Sequence, residues 1–412
     1  MTAPRCTRPR THTGAGALAA LAVTGGLLLA GCGGVAPEGA ADERPETRAA
    51  PAPTGTSGGL AVDPATTDDP SDASVTTPEA APREVTVAVA GDLLWHDTVW
   101  ESAEEDHRRT GAGVGGMDFG PMFRALAPVV QDADLAVCHE EVPFAPRGGP
   151  YLGYPVFAAP PQIASFIGDF GWDACTTASN HSVDQGFTGL ARTATLLDRQ
   201  GVAHVGTFRT AAERRQPVLL QADGVTVGLV QGTFGLNGLP LPAEQPWSVS
   251  MWDADNLLAQ ARAARRAGAD VVLVGVHWGS EYVHEPTPEQ VALADRLTRS
   301  PDVDLVYGEH AHVVQPITKV NGKWVAYGLG NMVAQNEVSR PETYQGISAT
   351  FTFAEQPDGS FEVSRAAYVP TAWNHYTPGN PIRITTDPTP GQLAQIRDAV
   401  HLLGGTGGLQ ED

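Results

Sequence analysis

Val271-Val272-Leu273-Val274-Gly275-Val276 is an unbroken apolar run that stops abruptly at His277-Trp278-Gly279-Ser280-Glu281-Tyr282. The run reads as a fully apolar strand, and the polar residues behind it as the loop at the strand's end. Residues 253–267 ahead of it read as a helix ended by Gly268. Behind it, Thr287-Pro288-Glu289-Gln290 opens the next helix, with a capping Thr, a Pro in the first turn and a Gln three residues on. Strand, polar loop and helix in that order are the building unit of a layered α/β domain.

The unit recurs on both sides. Residues 85–90, 134–138, 174–177, 203–205 and 304–307 read as strands, and 121–131, 161–170 and 187–200 as helices. Asp223-Gly224 and Asn321-Gly322 are hairpin turns, and Pro357-Asp358-Gly359 turns a third hairpin between 347–353 and 361–368. Alternation early and hairpins late predict an α/β layered domain over 85–412 with a mixed sheet or two packed sheets.

Residues 1–84 read differently. Arg5, Arg8 and Arg10 precede a mostly apolar, uncharged run over 15–30, which is shorter than the ~20 residues a spanning helix needs. It ends in Leu29-Ala30-Gly31-Cys32, which resembles the lipobox of a bacterial lipoprotein signal. The expectation is a signal peptide over 1–31 and a lipid on Cys32 that anchors the chain to the outer face of a membrane. An ordinary cleaved signal is the alternative. Residues 32–84, rich in Ala, Pro, Thr and Asp, bury too little apolar surface to fold and read as a disordered tether. No second long apolar stretch follows, so the remainder reads as soluble and extracytoplasmic. Of the 4 cysteines, Cys6 leaves with the signal and Cys32 takes the lipid. Cys138 and Cys175 are expected as buried core thiols, although a disulfide is permitted outside the cytoplasm.

The 412 residues carry 47 acidic and 26 basic side chains, a formal charge of −21. That balance excludes the electrostatic footprint of a nucleic-acid binder. A protein so acidic needs something other than its side-chain charge to attract polyanions, and a metal ion is the obvious candidate.

Metal-ligand types stand where the strands stop. The strand ends read Gly91-Asp92-Leu93-Leu94-Trp95-His96, Cys138-His139-Glu140-Glu141, Ala178-Ser179-Asn180-His181-Ser182-Val183-Asp184-Gln185-Gly186, His277-Trp278-Gly279-Ser280-Glu281-Tyr282 and Gly308-Glu309-His310-Ala311-His312. Strand ends of such a sheet converge, so residues distant in sequence meet. Asp92, His96, Glu141, Asn180, His277, His310 and His312 are more donors than one four-coordinate ion uses, whereas two ions sharing a carboxylate use them all. Such a pair activates water and stabilises the oxygens of an in-line displacement, and a non-ligand His beside it can protonate the leaving group.

Blander readings stand beside these. Asp184 and Gly186 could simply turn the chain, and Trp278, Tyr282 and Trp324 could be core aromatics or substrate platforms. Glu281 could meet a cationic substrate group or cap its loop, and Asn237-Gly238 could edge the site. Asn331 reads as structural. Trp373, His375 and Tyr376 raise the question of whether 369–412 shapes the site.

Taken in order, Gly-Asp, His-x-Glu, Asn-His-x-x-Asp-x-Gly, His-Trp-Gly-x-Glu-Tyr and Gly-x-His-x-His-Val-x-Gln-Pro resemble the CapA family of poly-γ-glutamate capsule synthesis proteins, and Tyr327-Gly328-Leu329-Gly330-Asn331 is similar to its Leu-Gly-Asn signature. The resemblance implies the calcineurin-like metallophosphoesterase fold, an α/β sandwich of two packed mixed sheets flanked by helices. It implies two divalent ions (Zn, Mn or Fe) on Asp92, His96, His139, Glu141, Asn180, His277, His310 and His312. His96 follows Asp92 by four positions where the family pattern has two, and Glu141 stands where Asp is usual. His181 would be the proton donor and Asp184 its orienting partner. Two functions compete: a surface-anchored hydrolase acting on a phosphoester or other envelope-polymer linkage, and a non-catalytic component that binds an anionic polymer during capsule assembly, with export partners.

Overall fold

Along the first strand, β1 (Glu84–Leu93), Val85, Val87 and Val89 fall in one core while Ala88 and Ala90 fall in another, the alternation of a strand covered on both faces. The computed structural model describes residues 81–412, all within a unit that runs Thr77–Asp412. The expected signal peptide, Cys32 and the tether up to residue 80 lie outside the described residues. No helix among the described residues is long and apolar enough to cross a membrane.

After β1 come α1 (Asp97–Thr110), the short α2 (Gly120–Phe123) and α3 (Ala127–Gln131), then β2 (Leu135–Glu140), α4 (Gln162–Phe170), β3 (Ala174–Thr176), α5 (Gly186–Arg199) and β4 (Ala203–Val205). The chain continues through β5 (Val218–Ala222), β6 (Val225–Thr233), α6 (Ala254–Arg266), β7 (Val271–His277), α7 (Pro288–Thr298), β8 (Leu305–Glu309), β9 (Ile317–Val320), β10 (Lys323–Ala326) and β11 (Asn331–Val333). It ends with β12 (Gln345–Glu355), β13 (Phe361–Trp373), β14 (Ile384–Thr385), α8 (Pro390–Val400) and β15 (Leu409–Glu411).

The strands form two mixed sheets. One has the order β14-β13-β12-β1-β2-β3-β4, with β11 beside β1 and β15 beside β13; the other runs β5-β6-β7-β8-β10-β9. β1 to β4 are mutually parallel, as are β6, β7, β8 and β10, while the late hairpins pair antiparallel. Val85, Val87, Val89, Leu135 and Val137 of the first sheet share a core with Val227, Leu229, Leu273 and Leu305 of the second. The outer face of the first sheet packs under α1 and α4, that of the second under α6 and α7. The result is the expected layering of two packed mixed sheets between helices. Each fully buried Val, Leu or Phe contributes about 1.5–3 kcal/mol.

Local chemistry explains where the sequence reading and the structure diverge. The helix expected over 121–131 is broken into α2, a 3-10 turn and α3, because Pro128 within it has no N–H to donate. α1 escaped notice because its buried stripe of Val99, Trp100 and Ala103 is diluted by Ser102, Glu105 and Asp106, which are buried too. Cys138 and Cys175 stand opposite each other on β2 and β3 and are joined as a disulfide, which replaces the expected pair of free core thiols.

Candidate metal centre

Asp92 reaches the site because β1 shifts register between Val89 and Asp92 and continues along β11. Gly91 makes that path possible: a Cβ there would lie 1.9 Å from the carbonyl oxygen of Gly330. The Asp92 carboxylate accepts the backbone N–H of His310 at 3.2 Å and His312 Nδ1 at 2.9 Å. Burial opposes its charge, yet the hydrogen bond and positive charge of His312 hold the carboxyl below the usual carboxylate value.

The remaining donors come from neighbouring strand ends. His139, on β2, sits 3.0 Å from Glu309 Oε2 through Nδ1, and its Nε2 has no partner. Burial pushes the His139 imidazole down, but Glu309 outweighs it and raises the ring to about 9. His277 Nε2 lies 2.9 Å from Asn180 Oδ1 and 4.0 Å from Glu141 Oε1, and its Nδ1 is unpartnered. Burial and the neighbouring His310 push His277 well below its ordinary value. His312 Nδ1 also meets Asn331 Oδ1 at 2.9 Å, and its Nε2 lies 3.8 Å from Glu141 Oε1. Burial lowers His312, but Glu141 and Asp92 carry it up to about 10. His310 Nδ1 is unpartnered, and burial takes that ring down to about 3.

Glu141 bears most directly on whether a cation fits here. Both its oxygens are buried without a hydrogen-bond partner, and burial raises the carboxyl to about 7. Uncompensated buried carboxylate oxygens are costly unless a cation or donor meets them. Three sets, Asp92/His139/His277, Asp92/Glu141/His312 and Glu281/His310/His312, each bring one ligand atom per residue within 4.8 Å of the others. Asp92 joins two sets and His312 joins two. Imidazole nitrogen and carboxylate oxygen are the donors that Zn, Mn and Fe accept, and a shared carboxylate suits two ions. The residues therefore fit a divalent metal centre.

The expected ligands do not all converge. His96 lies outside every one of these sets: its Nδ1 accepts the backbone N–H of Gln335 at 3.1 Å, and burial lowers its ring to about 4. Asn180 meets His277 through Oδ1 and donates Nδ2 to Asn237 Oδ1 at 3.1 Å, which places Asn237 at the site edge. His181 stands beside the cluster, with Nδ1 2.7 Å from Asp184 Oδ2. Asp184 also accepts the backbone N–H of Phe157 at 2.8 Å, so it orients the ring as well as turning the chain.

Two acidic residues outside the expected ligands also stand at the cluster. Glu281, read as a loop cap or a contact for cationic substrate, falls in a donor set. Glu309 lies behind His139, where Thr176 Oγ1 donates to it at 2.6 Å and Gln231 Nε2 at 2.9 Å. The signal was its place directly before His310 at a strand end. Trp278 and Trp324 are core, whereas Tyr282 lines the cavity. Trp373 and Tyr376 act at second hand: Trp373 Nε1 donates to the Ala334 carbonyl at 2.9 Å and Tyr376 N–H to Gln335 Oε1 at 3.3 Å.

A cavity of ≈ 680 Å³ opens over this cluster, lined among others by His96, Asn180, His181, Asp184, Glu281, Tyr282, His312 and Arg340. Positive φ marks its wall at Asn237 (51°), Tyr282 (66°) and His312 (55°), and the cluster below it at His310 (92°); outside the site the same region is used by Asp223 and Asn321 in hairpin turns. Backbone held this way in ordinary residues costs on the order of 1–3 kcal/mol each and persists where surrounding structure over-determines it.

Comparison with known proteins places the chain. Residues 86–336 match the family described as bacterial capsule synthesis protein PGA_cap. The capsule biosynthesis protein CapA of Bacillus anthracis is 30% identical over 180 residues, 43% of this chain and 43% of that protein. The PGA biosynthesis protein CapA of Bacillus subtilis is 28% identical over 205 residues, 49% of this chain and 53% of that protein. The chain thus spans about half the length of the curated relatives it matches. Among solved structures, the calcineurin-like phosphoesterase YfkN of Bacillus subtilis aligns at 14% identity over 70% of this chain and 90% of that one, with a TM-score of 0.40. With the matched residues running from β1 to just past β11 and enclosing every member of the three donor sets, this chain belongs to the bacterial capsule synthesis protein family PGA_cap.

Proposed function

We propose that this chain is a metal-dependent hydrolase of the phosphoesterase type, acting on an anionic polymer of the cell envelope during capsule synthesis. A lipid on Cys32 holds it at the outer face of the membrane, and capsule export proteins are its neighbours there. The observation that carries hydrolysis is the His181–Asp184 pair, 2.7 Å apart in the cavity wall next to the donor sets but outside them. A site that only stores metal or grips polymer has no use for an oriented proton donor.

Divalent ions held by Asp92, His139, Glu141, His277, His310 and His312 would activate a water and neutralise charge on the phosphoryl oxygens. The chain's own residues supply the rest. Asp184 accepts from His181 Nδ1 and so fixes which nitrogen carries the transferable proton. His181 Nε2 delivers that proton to the leaving oxygen as the P–O bond breaks. Phe157, with its ring centre 4.8 Å from that of His181 and nearly perpendicular to it, limits water around the donor.

The test is metal analysis of the full chain alongside Asp92→Ala and His310→Ala, with phosphodiester and phosphomonoester turnover measured on the same samples. The expected result is about two ions per wild-type chain and turnover that follows them. His181→Ala keeps its metal and loses roughly 10²–10⁴ in rate; loss of metal in that variant overturns the proton-donor role. Two ions without turnover point to polymer binding without cleavage, and no stoichiometric metal in the wild type overturns both readings.

A further inference from the structure

Arg340 is the one Lys or Arg among the described residues lining the main cavity. It lies beyond the 86–336 stretch matched by the family, so family membership assigns it nothing. Its guanidinium stands over the ring of Tyr282, with Cζ 4.3 Å from the ring centre. Tyr282 is itself fixed, at φ 66°, with its N–H donating to the Ala311 carbonyl at 2.8 Å and its ring centre 6.1 Å from that of His312. The Arg340 backbone is tied too: its N–H donates to the Glu337 carbonyl at 2.9 Å, and its own carbonyl accepts Thr343 Oγ1 at 2.7 Å.

The side chain, by contrast, has no counter-ion. Among the described residues no carboxylate pairs with Arg340, whereas Arg265, Arg296 and Arg383 each have one. The carboxylate of Glu337, on the same loop, takes a hydrogen bond from Ser339 Oγ at 3.2 Å instead. A guanidinium resting on an aromatic face keeps the N–H groups of its edge available, and that edge matches the two oxygens of a carboxylate or phosphate. In a chain of charge −21, an unpaired guanidinium at the mouth of the cavity is where an anion gains most.

The geometry points to Arg340 as the residue that binds a second anionic oxygen group of the substrate, a carboxylate or a phosphate, one aromatic ring removed from the donor cluster. The substrate is thereby gripped at two places, its reacting group at the cluster and a neighbouring charge at Arg340. This rests on the reading of the cavity as a site for polyanions, and it adds the residue that selects them.

Binding to the metal-loaded full chain tests it without relying on turnover. The probes are a γ-linked glutamate oligomer, the same oligomer with its side carboxylates amidated, and inorganic phosphate, each titrated into wild type, Arg340→Lys and Arg340→Ala. The expected result is that Arg340→Ala weakens the charged oligomer by about tenfold or more, the loss expected for one charge-assisted contact. Arg340→Lys recovers part of it, since it restores charge without the fork, and the amidated oligomer is indifferent to both changes. An equal loss for phosphate identifies phosphate as the group Arg340 reads, while a loss confined to the oligomer identifies carboxylate. Binding to wild type that Arg340→Ala leaves intact overturns the assignment alone. If no probe binds the metal-loaded wild type, the assignment falls together with the polyanion reading.

Discussion

Glu309 lines none of the main cavity, yet it decides how His139 presents itself. Its carboxylate is engaged by Thr176, Gln231 and His139 Nδ1, which leaves His139 Nε2 buried without a hydrogen-bond partner in a set with Asp92 and His277. Partners of this kind typically set ligand orientation and basicity, and losing one costs 10–100-fold in metal affinity. Glu309→Gln keeps the shape and removes the charge, so metal affinity is expected to fall by roughly ten- to a hundredfold with the fold intact. Competition against a metal buffer reads this directly, and unchanged affinity would show that His139 needs no such partner. That Asp, Glu and His gather at the strand ends, where a sheet collects its ligands, was legible in the sequence. The contact of Glu309 with His139 was not, because only side-chain direction sets which residue stands behind which. His96 lines the cavity but stands outside the three sets, because the backbone of Gln335 claims its Nδ1.

β4 shows how an edge strand is secured by a histidine that stays neutral. His204 is buried there with Nε2 3.4 Å from Asp198 and 3.5 Å from Glu213, Arg209 faces the same acids, and His204 Nδ1 has no partner. Burial outweighs the two carboxylates and lowers the imidazole below its ordinary value. The unfolded chain, where His titrates near ~6.5, therefore binds more protons than the folded one below that pH. Stability is full above ~6.5 and is lost as pH falls toward the lower folded value. His204→Gln is expected to flatten this dependence between pH 7.5 and 5.5, read as urea midpoints; equal slopes in both proteins would exclude His204 as the source. At this scale the sequence spoke unevenly. Thr287-Pro288-Glu289-Gln290 announced α7, and the structure has both arms of its capping box. Thr389-Pro390-Gly391-Gln392 carries the same signal and opens α8, a helix the apolar pattern did not suggest.

The whole molecule places its centre by bringing strand ends of both sheets together: Asp92 and His139 come from one sheet, His277 and Glu309 from the other. The Cys138–Cys175 disulfide ties β2 to β3 one residue before His139. Its sequence separation of 37 predicts a stabilisation of roughly 3–4 kcal/mol from restricting the unfolded chain. Reduction under native conditions is expected to lower the urea midpoint and to expose Cys138 and Cys175 to alkylation, whereas alkylation at either of these two positions without reductant would show that the bond does not form. The sequence by itself determined the α/β layering and the family, because periodicity, turn residues and strand-end motifs are local and survive in one dimension. Only the tertiary structure decided which ligand-type side chains come within reach of one another, that Glu281 joins them, that Glu309 stands behind His139, and that Arg340 rests unpaired on Tyr282. Those are relations between side chains on different strands and loops, set by register and by the packing of one sheet on the other, and no spacing along the chain encodes them.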